Sequence, residues 1–425
     1  MSGELRAAVP GSDALKGLRA LDLTDAESGL CGKMMADLGI DVIKVEPPGG
    51  DPSRLLPPFV DDDPGPDRGI AWLAFNINKR SATLDMASEV GRAVLRKLVA
   101  TADFLVESFR PGYLTGLGLG YEQLAGINPR LIFTSITPFG QTGPYGQYAS
   151  SDITMQAMGG FMYVNGDEDR RPIPIGSPVA LAHASAQACA ASMIAHYYRQ
   201  RTGHGQHVDV SAQECIVWTP LQMTMASQLA KQNFMRAGDG GRFRMDNGPS
   251  WIRGRWACKD GHLMFAPIGQ GNRSRAGFAK LIDVMRRDGE DVQELTARDW
   301  AGDAPPTSQE EYDIVANRVQ RYLLTKTSAE LYDIAVKEGL FLAPFATVKD
   351  IIESPQTQAR GAVVSVEYPH LGRSFLYPGP FAQMSATPIS RFRRAPRVGE
   401  HNDEVYQSLG YTTEEMGEWR SRRII

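Results

Sequence analysis

The chain has 425 residues, of which 42% are apolar and 22% charged, and both values are typical of a folded globular protein. That length exceeds what one ordinary core accommodates, so two domains are expected. The formal net charge of −4 gives no reason to expect the clustered basic surface that nucleic-acid-binding proteins use.

The apolar runs, the start of the chain and the cysteines all favour a cytoplasmic protein. No apolar run approaches the roughly 20 residues that span a bilayer. The start of the chain, Met1–Glu4, lacks the basic-then-apolar layout of a signal peptide. The four cysteines are scattered and show no metal-ligand spacing. These features predict a reduced, cytoplasmic protein without a metal and without a membrane segment.

Short apolar runs alternate with longer amphipathic ones through the first part of the chain. Runs rich in β-branched residues predict strands, and apolar residues spaced three or four apart predict helices. The predicted strands are Leu18–Thr24, Asp41–Glu46, Ser81–Asp85, Ala102–Glu107 and Leu131–Ile136. The predicted helices are Ser28–Leu38 and Glu89–Ala100. This alternation predicts parallel βαβ units and an α/β sheet with helices on both faces.

The second part of the chain has longer helical patterns. Helices are predicted over Ala184–Arg199 and Ala212–Lys231, with a strand over His207–Ser211 between them. The Asp260-Gly261 pair predicts the turn of a hairpin that runs from Trp256 to Phe265. Further helices are predicted at about 275–287 and 308–338.

The tail from about residue 340 is rich in proline, which predicts an extended segment lying on other structure rather than a separate core. We therefore expect residues 1–224 and 336–425 to form a large domain and residues 225–335 to form a smaller one.

Two basic segments lie next to predicted strands. Phe109-Arg110-Pro111-Gly112 follows a strand, and ligands of open α/β sheets bind beyond the carboxyl ends of strands. An arginine beside free backbone N–H groups suits a phosphate. Asn78-Lys79-Arg80 adds two positive charges just before another strand. A solvated basic loop is the alternative interpretation of each segment. The segments Asp51–Arg54 and Asp61–Asp63 are predicted to lie on the surface.

Many short segments, taken in order, resemble those of CoA-transferase family III over nearly the whole chain. They are Leu21–Thr24, Ala36–Gly39, Asp41–Glu46, Asn76–Ser81, Val106–Gly112, Gly118–Tyr121, Phe139–Pro144, Asp152–Gln156, Thr202–Gln206, Thr387–Pro388 and Ala395–His401. The resemblance rests on their number, order and spacing.

The resemblance implies a Rossmann-like large domain with a parallel sheet, a smaller α+β domain, and two chains interlocked as a ring-like dimer. It implies coenzyme A and acyl-CoA as substrates. In this family an aspartate attacks the thioester and carries the acyl group and then CoA as covalent intermediates. The family's CoA site maps onto eight residues of this chain, which are Glu27, Ser28, Asn78, Lys79, Arg80, Ser108, Phe109 and Arg110.

The position of the family's aspartate holds Leu181. Gly176–Ala180 on one side and Thr202-Gly203 on the other fix the register, so the difference is a real substitution. A leucine cannot attack a thioester, and no catalytic residue is assigned. His183 is two residues further on, about 200° away around a helix. Asp167–Asp169 has the pattern of an exposed polar turn.

We therefore expect a non-catalytic subunit of a heteromeric CoA-transferase. Its partner would be a homologous aspartate-bearing subunit, in an interlocked heterodimer or heterotetramer. The family includes two-subunit members of this kind, the succinyl-CoA:benzylsuccinate CoA-transferases of anaerobic toluene degradation. Two alternatives stay open, namely a self-sufficient CoA-transferase that uses another carboxylate and a CoA-thioester-binding protein without turnover.

Overall fold

The chain divides into two compact units. The computed structural model describes residues 14–25, 27–229, 231, 236, 238, 240–245, 248–265, 272–296 and 308–425. Unit 1 comprises residues 1–161, 174–225 and 355–425, and unit 2 comprises residues 162–173 and 226–354. The domain limits at residues 224 and 335 stay a prediction.

Unit 1 is built on a six-stranded sheet with the order β3-β2-β1-β4-β5-β6. Its strands are β1 (Arg19–Leu23), β2 (Asp41–Glu46), β3 (Arg80–Thr83), β4 (Phe104–Glu107), β5 (Ile132–Thr137) and β6 (Gln206–Ser211). Every neighbouring pair is parallel. The α/β sheet predicted from the alternating pattern and the Rossmann-like fold implied by the family resemblance are therefore confirmed.

Helices cover both faces of this sheet. The helices between residues 30 and 229 are α1 (Leu30–Asp37), α2 (Ile70–Phe75), α3 (Glu89–Ala100), α4 (Tyr113–Gly116), α5 (Tyr121–Ile127), α6 (Asp152–Met158), α7 (Val179–Thr202), α8 (Ala212–Trp218) and α9 (Leu221–Leu229). One apolar cluster contains side chains of α1 and α7, and another contains side chains of α3 and α5. Along β5, Ile132 and Ile136 belong to the first cluster and Phe133 to the second. Because the strands are buried on both faces of the sheet, their sequences are continuous apolar runs.

The free edge of this sheet at β3 is covered by the chain near residue 400. Ser81 and His401 exchange hydrogen bonds, from Ser81 N to His401 Nδ1 (3.2 Å) and from His401 N to Ser81 O (3.0 Å). Thr83 N donates to Asn402 Oδ1 (2.8 Å), and the Tyr406 hydroxyl donates to Thr83 O. These residues belong to or precede α16 (Asn402–Gln407), so backbone groups of an edge strand are satisfied within the chain.

The tail is more regular than its proline content predicts. It contains β12 (Val363–Tyr368) paired antiparallel with β13 (Arg373–Pro378), and the helices α15 (Pro355–Ala359), α16 and α17 (Thr413–Ser421). The hairpin lies on other parts of unit 1, because Tyr368 and Tyr377 share an apolar cluster with Trp72 of α2. The expectation of a segment lying on other structure is confirmed, and that of extended chain throughout is wrong.

Unit 2 has its own apolar cluster and two small antiparallel sheets. Its strands are β7 (Gly240–Met245), β8 (Gly248–Arg253), β9 (Arg255–Cys258), β10 (Gly261–Phe265) and β11 (Leu342–Pro344). Its helices are α10 (Asn272–Arg287), α11 (Gln293–Thr296), α12 (Gln309–Leu323), α13 (Ser328–Glu338) and α14 (Val348–Glu353). The predicted hairpin at Asp260-Gly261 is confirmed as β9 and β10.

Helix limits differ from the prediction at three places. The helix predicted to begin at Ala184 begins at Val179. The predicted helix over 212–231 breaks at Pro220, which has no N–H to continue the helical bonds. The predicted helix over 308–338 breaks before Thr327, which caps α13 in a reciprocal bond with Glu330. Among the helices that the structure describes, none is both long and apolar enough to cross a membrane.

Candidate functional site

A cavity of about 770 Å³ opens at the carboxyl ends of β1 to β4. In the order β3-β2-β1-β4-β5-β6, the chain adds β2 and β3 on one side of β1 and then β4 to β6 on the other side. Open α/β sheets bind their ligands at such a switch point, which here lies between β1 and β4. We call it the switch-point cavity. The residues after these strands that line it include Thr24, Asp25, Glu27, Pro47, Asp51, Ser53, Asp85, Met86, Ser108, Phe109, Arg110 and Tyr113.

The loop after β1 is tied to its surroundings on two sides. Asp25 N donates to Ser108 Oγ (2.8 Å), and Ser28 N donates to Asp25 Oδ1 (3.0 Å). On the other side, the Ser185 hydroxyl of α7 donates to Ser28 O (3.1 Å). The loop that carries Glu27 therefore lies between the switch-point cavity and α7.

The eight predicted CoA-site residues do not come together as one group. Four of them line the switch-point cavity, and they are Glu27, Ser108, Phe109 and Arg110. Ser28 is buried beside it. The remaining three, Asn78, Lys79 and Arg80, lie at the amino end of β3, whereas the cavity lies at the carboxyl ends of the strands. Lys79 and Arg80 line a separate cavity of about 310 Å³.

Lys79 is a buried structural cation rather than a free phosphate ligand. Its ammonium donates to Asp22 Oδ2 (2.7 Å), Gly29 O (2.9 Å) and Asn76 Oδ1 (3.0 Å), which uses all three of its N–H groups. Arg80 pairs with Asp41 (2.5 Å) and Glu404 (3.0 Å). The structure therefore corrects the expectation that this basic segment adds free charge to the cavity.

The Asp22 carboxylate pairs with two buried lysines, Lys44 and Lys79, next to the loop after β1. The side chains of Asp22, Lys44 and Lys79 are at most 2% exposed, and Lys44 Nζ lies 3.7 Å from Asp22 Oδ1. Burial alone would raise the pKa of the Asp22 carboxyl, but the charges of Lys79 and Lys44 outweigh it and lower the pKa to about 2. Gly32 is required here, because a Cβ at that position would lie 2.2 Å from Asp22 Oδ2.

The segment Asp51–Arg54, predicted to lie on the surface, is largely buried. The Arg54 guanidinium is 1% exposed, donates to both carboxylate oxygens of Glu46 (2.6 and 2.8 Å), and lies 3.6 Å from the centre of the Trp72 ring. Ser53 is also buried and lines the switch-point cavity, and its hydroxyl has no hydrogen-bond partner in the described part of the chain. The surface prediction was wrong because the groups that bind Arg54, such as Glu46 of β2 and Pro396 O, lie on other parts of the chain and leave no local sequence pattern.

The switch-point cavity is acidic. Its described lining residues include four carboxylates, those of Asp25, Glu27, Asp51 and Asp85, and one cation, Arg110. Partial burial raises the pKa of the Glu27 carboxyl, and the charges of Asp25 and Asp152 raise it further. The rings of Phe109 and Tyr113 also line the cavity and stand side by side with centroids 4.8 Å apart. The described wall thus offers a ligand an aromatic surface and one exposed cation, Arg110.

Leu181 lies in the first turn of α7, and its side chain is buried at 9% exposure in the apolar cluster between α7 and the sheet. The Asp152 carboxylate caps this turn, because its Oδ1 accepts from Ala180 N (2.8 Å) and Leu181 N (3.3 Å). Gln156 donates to the other oxygen of Asp152 (2.6 Å). Sequence reasoning missed this role of Asp152, because a cap contributed from 28 residues away leaves no local pattern.

The two other groups considered as substitutes for a nucleophile have local partners. His183 Nδ1 lies 3.1 Å from the Thr219 hydroxyl at the end of α8. Asp167–Asp169 forms a turn in unit 2, where Arg170 pairs with Asp167 and Asp169 and Arg236 donates to Asp167 O (3.1 Å). In the described ranges, no group of three or more His, Cys, Asp and Glu residues is arranged to hold a metal.

Glu107, the last residue of β4, is a buried carboxyl behind the switch-point cavity. It is 4% exposed, and its Oε2 accepts from Phe109 N (2.7 Å). Burial raises the pKa of Glu107 to about 7, against the hydrogen bonds from Ser135 and the Phe109 backbone, which lower it. Charging this group at alkaline pH therefore acts against the folded state.

We expect Glu107→Gln to remove a pH-dependent loss of stability. A raised carboxyl pKa gives stability that is complete below the unfolded value near 4.5 and is lost as pH rises through about 7. From pH 5 to pH 8 the parent chain should lose roughly 2 to 3 kcal/mol relative to the variant, at about 1.4 kcal/mol per pKa unit. Urea unfolding across that range measures the difference. Glu367→Gln, at an exposed carboxylate on β12, is the control, and equal pH profiles for all three proteins would contradict the assignment.

Comparisons with known proteins extend over almost the whole chain. The family model described as CoA-transferase family III matches residues 15–402. The chain is 34% identical to the BbsE subunit of succinyl-CoA:(R)-benzylsuccinate CoA-transferase from Thauera aromatica, over 94% of this chain and 95% of that one. It is 32% identical to a succinate–glutarate CoA-transferase from Agrobacterium fabrum, over 93% and 95% respectively. The crystal structure of a CAIB/BAIF family protein from Brucella suis superposes with a TM-score of 0.79 at 29% identity, covering 95% of this chain and 100% of that one.

Proposed function

We propose that this chain, which belongs to CoA-transferase family III, is the non-catalytic subunit of a heteromeric enzyme and works beside a homologous chain that carries the nucleophilic aspartate. Members of the family move coenzyme A between an acyl-CoA and a carboxylic acid. Within that reaction, this chain does not supply the nucleophile.

The proposal rests on the position and packing of Leu181 in the first turn of α7. Its apolar side chain is packed in the core of unit 1, and its backbone N–H faces the capping carboxylate of Asp152. Neither group can form the covalent carboxyl intermediate on which the family's exchange depends. His183 and the turn at Asp167–Asp169 are bound to partners of their own, so they do not supply the missing nucleophile.

Coenzyme A is proposed to bind in the switch-point cavity. The paired rings of Phe109 and Tyr113 offer a stacking surface for the adenine, and Arg110 offers a guanidinium for a phosphate. The unpartnered Ser53 hydroxyl is available to a polar group of the pantetheine arm. Of the residues expected from sequence, Glu27, Ser108, Phe109 and Arg110 keep this role in the proposal, and Asn78, Lys79 and Arg80 do not.

Arg110 should dominate CoA affinity, because the other charges on the described cavity wall are carboxylates that repel phosphate. We expect Arg110→Gln to weaken CoA binding about tenfold at low salt, in line with roughly 1.4 kcal/mol for a charge-assisted contact. The difference should shrink as salt is added, because screening weakens an exposed charge. Isothermal titration of the purified chain with CoA measures both effects. Arg422→Gln, which changes an exposed arginine on α17's end, is the control, and equal weakening by both variants would contradict the assignment.

A partner chain is supported by apolar side chains that unit 1 leaves exposed along consecutive helices. Ile194 and Tyr197 of α7, Trp218 of α8 and Met225 of α9 are 57 to 70% exposed. Exposed apolar groups in this number are typical of an interaction surface. We propose that a homologous aspartate-bearing subunit covers them, in an interlocked heterodimer or heterotetramer, and the Thauera aromatica relative is likewise named as a subunit.

The names of relatives guide the choice of substrates. Relatives are named for succinyl-CoA, succinate, benzylsuccinate and glutarate. We propose succinyl-CoA as the donor and an aromatic succinate as the acceptor, in a cytoplasmic enzyme of the toluene-degradation type. Aliphatic dicarboxylic acids are the competing acceptors.

The test is to express the chain alone and together with an aspartate-bearing homologue from the same genome. CoA transfer from succinyl-CoA to benzylsuccinate and to glutarate is followed by chromatography of the thioesters. We expect transfer only by the co-expressed pair. Transfer by the pure chain alone would overturn the proposal.

A self-sufficient transferase that uses another carboxylate is the second candidate, and the position of Glu27 favours it. Glu27 lines the switch-point cavity, and the charge of Asp152, which caps the first turn of α7, acts on it. Trapping with hydroxylamine during turnover should then mark Glu27, and Glu27→Gln should abolish the mark. A chain that binds CoA tightly without exchange beside any partner would instead be a thioester-binding protein.

A further inference from the structure

A second cavity, of about 210 Å³, lies beneath β4, β5 and β6. We call it the β4–β6 cavity. Its wall includes Glu107 of β4, Ser135 of β5 and His207 of β6, together with Tyr121 of α5 and Gln141 of the loop after β5. Arg110 contributes to this cavity and also to the switch-point cavity.

Strand register places the polar side chains on one face of the sheet. Glu107 pairs with Ser135, and Ser135 pairs with Asp209, so these three side chains point to the same side. His207 precedes Asp209 by two residues and therefore shares that side. The opposite face belongs to α7, where the Thr134 hydroxyl meets that of Ser192 (2.8 Å). The β4–β6 cavity is therefore separated from α7 by the sheet.

Hydrogen bonds hold most of these groups in place. Ser135 Oγ lies 3.0 Å from His207 Nε2, and the His207 ring stacks on Tyr121 with centroids 5.5 Å apart. The backbone N–H of Gln141 donates to both oxygens of Asp209 (3.1 and 3.0 Å). The side-chain nitrogen of Gln141 is buried and has no hydrogen-bond partner within the described ranges. Buried polar groups are almost always paired, so this nitrogen is a donor in need of an acceptor.

The balance of donors and charges indicates what the acceptor is. Arg110 and the Gln141 amide can donate into the cavity, whereas the Ser135 hydroxyl is engaged with Glu107 and His207. Burial raises the pKa of Glu107 to about 7 and lowers that of His207, so at pH 6 most Glu107 side chains are protonated and uncharged. The carboxylates of Asp209 and Glu122 also face His207, and Asp209 is already bonded to the Gln141 backbone. The described wall thus carries one cation, Arg110, and one exposed carboxylate, Glu122, and the unpartnered Gln141 amide is the donor that favours an anion.

We propose that the β4–β6 cavity binds a small organic acid as its carboxylate, with Gln141 and Arg110 donating to it. At about 30 Å³ per water molecule, the space equals roughly seven waters, which suits an acid of a few carbon atoms and excludes coenzyme A. Gln141 lies outside the proposed CoA site, but Arg110 lines both cavities, so the acid and CoA would compete for its guanidinium.

The test is titration of the full chain with succinate and with succinamide, its uncharged counterpart of the same size, at pH 6 and pH 8. We expect succinate to bind at pH 6 at least tenfold more tightly than succinamide, and to bind more weakly at pH 8 where Glu107 is charged. Gln141→Leu should weaken succinate binding at least fivefold, and Ser135→Ala should weaken it less. Glu107→Gln should keep binding and remove its difference between the two pH values.

Three results would overturn the site. Equal binding of succinate and succinamide would show that charge is not recognised. Unchanged binding by Gln141→Leu, with a normal circular dichroism spectrum, would show that the acid lies elsewhere. Weaker succinate binding by Ser53→Ala, a change at a residue that lines the switch-point cavity and not the β4–β6 cavity, would assign the acid to the switch-point cavity. Each readout is binding, so failure here leaves the co-expression test of transfer unaffected.

Discussion

Replacing Leu181 with aspartate is expected to give the isolated chain CoA exchange at least about 10²-fold above the parent. Removing a covalent nucleophile from an enzyme costs on the order of 10⁶-fold, so even a poorly aligned one should restore a measurable part. The position lies in the first turn of α7, where the helix dipole favours negative charge, and the Asp152 carboxylate already accepts from the N–H groups of Ala180 and Leu181. Transfer from succinyl-CoA to a labelled acid measures the gain.

The control for this substitution is Leu181→Asn. Asparagine has the shape of aspartate and disturbs the apolar cluster in the same way, but it cannot form the anhydride. Both variants lose the buried leucine and should cost about 2 to 4 kcal/mol of stability, which urea unfolding records. Exchange by the aspartate variant alone identifies the carboxylate as the missing element. Two folded, CoA-binding and equally inactive variants would show that the chain lacks more than its nucleophile.

Asp22→Asn should be the most damaging conservative change in unit 1, with an expected loss of about 3 to 5 kcal/mol. Removing one partner of a buried ion pair leaves the other charge less compensated, and here one carboxylate pairs with two lysines, of which Lys44 keeps a second carboxylate, Asp51, at 3.7 Å. The pKa of Asp22 is lowered to about 2, so its contribution is complete above the unfolded value near 4 and is lost as pH falls towards 2. The difference between parent and variant should therefore be full at pH 7 and small at pH 2.

Asp41→Asn provides the comparison for that experiment. Asp41 also pairs with two cations, Arg19 and Arg80, but its side chain is 36% exposed. Pairs at the surface contribute at most about 1 kcal/mol, so this variant should lose far less. Similar losses from the two substitutions would show that burial does not set the strength of the Asp22 cluster.

The sheet could be predicted from the sequence because each strand carries its own signal. Runs such as Asp41–Glu46 are β-branched and are buried on both faces, so the pattern and the structure have the same cause. Leu181 could also be identified from its flanking segments. What the sequence could not give is the direction of its side chain, since that depends on contacts with elements distant along the chain.

The basic residues show where sequence reasoning fails. Lys79 and Arg54 looked like ligands or surface groups because a lysine or arginine near a strand is usually solvated. Both are buried, and their carboxylate partners lie 57 and 8 residues upstream at Asp22 and Glu46. From the sequence alone, a charged side chain is taken to be free to bind a ligand or solvent. Its ion-pair partner becomes known only from the fold. Asp152 was missed for the same reason, since it caps a helix from which it is separated in sequence.

The covering of β3 by residues 401–406 has a consequence for biosynthesis. Ser81 and Thr83 emerge from the ribosome more than 300 residues before His401 and Asn402, which complete their hydrogen bonds. Throughout that interval the nascent sheet presents an open strand to any other chain, and open strands template aggregation. At elongation rates of about 5 to 20 residues per second, the interval lasts on the order of 15 to 60 seconds. A chain whose synthesis ends before residue 400 therefore lacks the residues that cover β3, and we expect it to aggregate more readily than the full chain.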